Sequence, residues 1–210
     1  MTLQNRVTPT GQIVAAPWRG SLMGNRGCLH REDGTLGAAR WRHRAWVTCL
    51  LSFRDRHRLP MPPPGSPTVY TALFFWDEAT ALAAGHRPCG ECRRADFLRF
   101  RAAAEAADLP ARPIPALDRV LHAARVSPDR AQRCHQAALE DLPEGVFVLS
   151  EHVPCLFVDG ALWPWREEGG YGPPRPANTG VVTVLTPATT VAVLRAGYRP
   201  AMRLPGPRLS

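Results

Sequence analysis

The sequence contains no lysine; all 26 of its basic residues are arginine. Ala, Arg, Pro and Gly are abundant throughout, so a coding bias accounts for that choice, and arginine identity alone argues for no particular partner. The sequence also lacks any apolar run near 18 residues, which excludes a membrane-spanning helix of ordinary length. Residues 1–16 lack the charged-then-apolar order of a secretory signal. Both absences predict a cytoplasmic protein with reduced thiols. In that setting a close cysteine pair points to metal or catalysis rather than to a disulfide. No internal repeat is present.

What is there is a chain of 210 residues, 45% hydrophobic, which suffices to bury a core. Its formal charge of +8 and pI of about 9.9 predict a polyanionic partner, with DNA the first candidate and RNA the second.

Two proline-rich stretches punctuate the chain. Pro60 to Pro67 (PMPPPGSP) reads as an exposed, semi-rigid loop, and Leu109 to Pro115 (LPARPIP) as a linker. The boundary falls at the second, dividing residues 1–109 from 116–210. In the first part, Met23 to Gly27 is turn-prone, and Ala45 to Phe53 and Thr68 to Phe75 have strand composition. Asp77 caps a short helix that Gly85 ends, and a second helix runs from Arg94 to about Ala107. In the second part, Leu117, Val120, Leu121 and Ala124 keep helical spacing. Ser127-Pro128-Asp129 then opens a helix reaching Leu142, with Cys134 on its apolar face. Val146 to Leu149 and Val181 to Leu185 read as strands, and Cys155 to Trp163 as a hairpin around Asp159-Gly160, with Cys155 buried. Thr186-Pro187 opens a last helix, ended by Gly197. Helices and strands mix without regular alternation, so the predicted class is α+β: a small N-terminal metal-stapled module followed by a mixed α+β domain with a β-hairpin.

Cys89-Gly90-Glu91-Cys92 has the spacing that lets two thiolates reach one metal from a tight turn. Arg87, Arg93 and Arg94 stand beside it, and neighbouring cations favour the thiolate form. Around this pair stand Phe74-Phe75, Asp77-Glu78-Ala79, the run Ala83-Ala84-Gly85-His86-Arg87-Pro88-Cys89, and Cys92-Arg93. Residues 70–96 thereby resemble the second half of the zinc module of Ada-type DNA-repair proteins. In that family four cysteines hold zinc, the module binds DNA, and one zinc-bound thiolate accepts a methyl group from an alkylated backbone phosphate.

The resemblance implies a Zn(2+) site here, a role in nucleic-acid binding and DNA (alkylation) repair, and Cys49 as third ligand and methyl acceptor. The family's upstream C-x3-C pair is missing; Cys49, in a predicted strand, stands in its place. His30 is the expected fourth ligand and Cys28 the alternative, with His86 and His57 further candidates. Nucleic-acid contacts fall to Arg87, Arg93 and Arg94, to Arg42 and Arg44 in the aromatic-interleaved run Arg40 to Trp46, and to Arg26 in the Met23–Gly27 turn, which could nest an anion.

Outside the resemblance, Asp118, His122 and Arg125 occupy one stripe of a predicted helix. An Asp beside a His can prepare a general base; the simpler expectation is a solvated helix face. If that stripe is an active site, the protein is an enzyme working through its C-terminal domain with zinc only structural. An interaction module stapled by zinc is the non-enzymatic counterpart.

Overall fold

The computed structural model describes residues 3–54 and 70–205, with the backbone of residues 56–57. The first half runs through strands β1 (Gln4–Val7), β2 (Ile13–Ala15), β3 (Leu22–Asn25) and β4 (Val47–Cys49), then a small hairpin of β5 (Ser52–Phe53) and β6 (Arg56–His57). Strand β7 (Leu73–Phe75), helix α1 (Glu78–Ala83), β8 (Arg87–Pro88) and α2 (Arg94–Ala106) follow. Beyond residue 109 come α3 (Ile114–Arg125), β9 (His135–Ala138), a 3-10 turn Leu139–Asp141, then β10 (Val146–Ser150) and β11 (Val153–Val158). The chain continues through β12 (Ala161–Pro164), β13 (Arg175–Pro176), β14 (Val181–Val184) and α4 (Ala188–Arg195). The expected loop from Pro60 to Pro67, and the start of the expected strand at Thr68, lie outside the described residues.

The α+β class holds. One sheet has the order β2-β1-β7-β3-β4-β8, with β1–β7 and β4–β8 parallel and the other pairs antiparallel. The other, β13-β12-β11-β10-β14-β9, is antiparallel throughout. Residues on both sides of the 109–116 stretch share one core: Leu82, Phe100 and Ala104 pack with Leu117, Val146 and Leu194. Among the described residues no helix is long and apolar enough to cross a membrane.

Local signals account for much of this. Asp159 and Gly160 both take positive φ, closing the β11–β12 hairpin as their sequence demands. Asp77 caps α1, accepting from the Thr80 amide at 2.9 Å and the Thr80 hydroxyl at 2.8 Å.

Three expectations are corrected. Met23 to Asn25 is strand rather than turn. Gly24 serves close approach there: a Cβ would sit 2.3 Å from the Phe75 ring. Ala45 to Phe53 is broken into β4 and β5 rather than continuous. The helix expected from Ser127 to Leu142 is absent: residues 135–138 pair with β14 instead, Ala138 opposite Val181 and His135 opposite Val184. The edge of β14 outweighs the weak strand preference of His-Gln-Ala-Ala, and Cys134, expected in the core, is exposed.

At the head of α1 two adjacent carboxylates are buried. Asp77 also accepts from the Tyr171 hydroxyl at 2.7 Å and the Arg203 amide at 3.1 Å. Glu78 accepts from Arg93 at 2.7 Å, the Tyr198 hydroxyl at 2.6 Å and the Ala201 amide at 2.9 Å. Charges leave water only when donors surround them, and these donors come from four separate segments.

Asp77→Ala removes the cap and takes the acceptor from the Tyr171 hydroxyl and the Arg203 amide, so urea unfolding should show a loss of roughly 3 kcal/mol or more. Tyr171→Phe, which leaves the cap in place, should lose only about 1.5 kcal/mol.

Candidate metal centre

The parallel pairing of β4 with β8 sets Val47 opposite Arg87 and Thr48 opposite Pro88. The next residue on each strand is a cysteine, so Cys49 and Cys89 emerge side by side, and the Cys89 amide donates to the Thr48 carbonyl at 2.9 Å. Cys92 lies in the turn that opens α2, held by the Arg93 amide donating back to the Cys89 carbonyl at 3.2 Å. The three sulfurs all lie within 4.8 Å of one another.

A tetrahedral zinc with bonds of about 2.3 Å would hold its sulfurs about 3.8 Å apart, so this group fits such an ion with small adjustment. Met23, Ala72, Phe74 and Val47 wall the site with apolar surface. Cys49 and Cys92 are buried, while Cys89 is part-exposed.

The thiols share their protons unequally. A hydrogen bond with Cys49 draws Cys89 down to about 5, aided by the Glu91 amide and opposed by burial. The same bond, with burial, pushes Cys49 far up. Burial raises Cys92. One thiolate therefore forms readily, and a bound cation would displace the remaining protons.

The expected fourth ligand is elsewhere. His30 has Nδ1 at 3.0 Å from the Thr71 hydroxyl and Nε2 at 3.0 Å from the Gln4 carbonyl. The Cys28 thiol turns toward the His30 carbonyl at 3.5 Å. His86 is buried against Phe75 and Trp46, with ring centroids 4.6 and 5.1 Å away. The side chain of His57 lies outside the described residues. Among the described residues, no fourth metal-ligating side chain joins the three sulfurs.

The six arginines expected to contact nucleic acid divide. Arg87 is buried and grips Asp118 with two bonds of 2.7 and 2.8 Å. Arg93 is buried on Glu78, Asp96 and the Thr48 hydroxyl. These two hold the fold together, which corrects the expectation that they face a phosphate. Arg26 is buried beneath the Trp46 ring. Arg42, Arg44 and Arg94 are exposed.

The stripe of Asp118, His122 and Arg125 is corrected as well. Asp118 and Arg125 are buried rather than solvated. Asp118 bonds Arg87, not His122, and the His122 Nδ1 instead accepts from Arg125 at 2.9 Å. Burial first, then the charges of Arg125 and Arg44, lower His122 to about 4. No Asp–His dyad forms, because the arginine that claims Asp118 comes from 31 residues upstream.

Neither family models, curated proteins nor solved structures match this chain.

Asp118→Asn takes the counter-charge from a buried guanidinium and should cost about 3–5 kcal/mol, against about 0.5 kcal/mol or less for a solvated helix face. His122 carries a pH signature. Its folded value of about 4 lies below the ordinary 6.5, so between them the unfolded chain holds a proton that the native one does not. Its contribution is complete above pH 6.5 and lost as pH falls toward 4. The unfolding free energy should decline from pH 7 to 5, and His122→Asn should flatten that decline; an unchanged slope would refute the assignment.

Proposed function

We propose that Cys49, Cys89 and Cys92 hold a zinc ion in a nucleic-acid-binding protein of the Ada-type kind, with DNA the preferred partner. The observation that carries the metal is the meeting of three sulfurs from β4, the end of β8 and the head of α2 within 4.8 Å. Soft thiolate donors in reducing surroundings favour zinc over calcium or magnesium. When bound, zinc would keep the three sulfurs ionised and would tie α2 to the sheet. This chain's own residues prepare that state: the Glu91 amide donates to the Cys89 sulfur at 3.4 Å, and Arg93 anchors the turn through Thr48.

The nucleic-acid part of the reading is supported by the charge of +8, by exposed Arg42, Arg44 and Arg94, and by the likeness of residues 70–96. A second reading, in which zinc only staples the fold, is favoured by the burial of Cys49 and Cys92. Cys49, a residue only 6% exposed, is poorly placed to accept a methyl group from a polymer.

Elemental analysis tests the centre. About one zinc per chain is expected, lost in Cys49→Ser and Cys89→Ser and kept in His30→Ala and Cys28→Ser. A mobility assay on zinc-loaded protein should show duplex DNA binding that weakens steeply with salt. No zinc in the wild type overturns the metal assignment, and no shift at low salt overturns the nucleic-acid reading.

A further inference from the structure

A cleft of about 650 Å³ lies apart from the three clustered cysteines. Arg26, Arg40, Arg125 and Arg130 line it with Trp41 and Trp46, and no Asp or Glu does so among the described residues. Its volume falls within the roughly 300–1,000 Å³ range of small-molecule sites.

Two of these arginines are unusual. Arg26 and Arg125 are 3% and 2% exposed, and their guanidinium carbons lie 4.1 and 3.9 Å from the Trp46 ring centroid. Among the described residues neither bonds a carboxylate. Arg26 donates to His86 Nε2 at 3.3 Å and to the carbonyls of Gly11 and Ala84 at 3.4 Å. Arg125 donates to the Gly85 carbonyl at 2.6 Å, to the Arg44 carbonyl and to His122, and its Nε–H is buried with no partner. Asp118, whose charge also acts on Arg125, makes its hydrogen bonds to Arg87. The fold positions Arg125 deliberately: Gly85 has φ +82°, and a Cβ there would meet the Arg125 side chain at 2.4 Å.

Buried charges are normally paired. Elsewhere this chain obeys that rule, with Arg87 on Asp118 and Arg93 on Glu78. Neutral donors could satisfy the same carbonyls around Arg26 and Arg125, so two buried guanidiniums without a bonded carboxylate among the described residues, in the wall of a cleft that no described acid lines, call for an anion from outside. A dianion best matches four arginines, two buried and two at the exposed rim.

The rest of the wall describes the remainder of the ligand. Ile13, Leu36, Val126 and Leu149 offer apolar surface, and Trp41 a half-buried ring. Gln132 has its amide nitrogen committed to the carbonyls of Pro9, Ala83 and Leu185, which leaves Oε1 buried and without a partner behind the cleft wall.

We infer that this cleft binds a phosphate monoester carried on an organic group, with the phosphoryl oxygens on Arg26 and Arg125, closed in by Arg40 and Arg130. The ester has two sources, a free nucleotide-sized metabolite or the 5′ end of a nucleic-acid strand. The inference rests on neither the zinc nor the duplex-binding reading.

Calorimetric titration of the full chain in chloride buffer decides it, with AMP, inorganic phosphate, and one short oligonucleotide in 5′-phosphorylated and 5′-hydroxyl forms as probes. Saturable AMP binding, competed by inorganic phosphate, is expected. Arg40→Gln and Arg130→Gln should each weaken it roughly five- to tenfold, the loss expected of a partly exposed charge-assisted contact. Arg125→Met should abolish it; should that variant fail to fold, the rim variants still carry the test. Binding of the 5′-phosphorylated strand in preference to the 5′-hydroxyl one assigns the ester to a strand end, whereas AMP alone assigns it to a free metabolite. No binding of AMP or of inorganic phosphate at millimolar concentration together with no preference between the two strands, or indifference to both rim variants, overturns the proposal and leaves the zinc centre untouched.

Discussion

Asp77 and Glu78, side by side and out of water at the head of α1, set the terms on which the rest of the molecule assembles. Each carboxylate removed from solvent carries a penalty of several kcal/mol unless donors replace the water. The donors reach in from α1 itself, from Arg93, from Tyr171 beside the antiparallel sheet, and from Tyr198, Ala201 and Arg203 after α4. Arg93 joins this knot to the sulfur cluster. It follows Cys92 directly and reaches the Thr48 hydroxyl, one residue before Cys49, so the turn that presents the cysteines hangs from the same buried charges.

The surplus of positive charge is spread unevenly. Arg87 and Arg93 are neutralised within the interior, and Arg42, Arg44 and Arg94 face water. Arg26 and Arg125 belong to neither group, being buried and held only by carbonyls, imidazoles and the Trp46 face. Burial accordingly draws Arg26 down to about 9 and lowers Arg125 as well. Counting basic residues along the chain merges these three populations; only the position of the acids separates them.

Signals confined to a few neighbouring residues were legible. Asp77 capping a short helix that Gly85 ends is a helix signal, Asp159-Gly160 is a hairpin turn, and the alternatives at Val146–Ser150 and Val181–Val184 are few because both are short, apolar and β-branched. The grouping of Cys49 with the C-x2-C pair was legible only through a likeness in pattern. What failed depends on partners distant in sequence. Ala131, Cys134, Ala138 and Leu142 keep a helical period by accident, yet the open edge of β14 claims residues 135–138. Asp118 has the spacing of a solvated stripe and is buried because Arg87 waits for it. Gln132, a neutral residue in a loop, carried no signal before its three carbonyl partners were known.

The knot at α1 also governs when the chain can fold. Tyr198, Ala201 and Arg203 are translated more than a hundred residues after the carboxylates they satisfy. While these residues remain in the ribosomal tunnel, Asp77 and Glu78 lack three of the seven donors that surround them and have every reason to stay hydrated. The segment bearing all three clustered cysteines then emerges long before its scaffold can close. Nascent chains would therefore present those thiols to solvent for the rest of synthesis, and metal capture, oxidation and chaperone binding would compete for them during that interval.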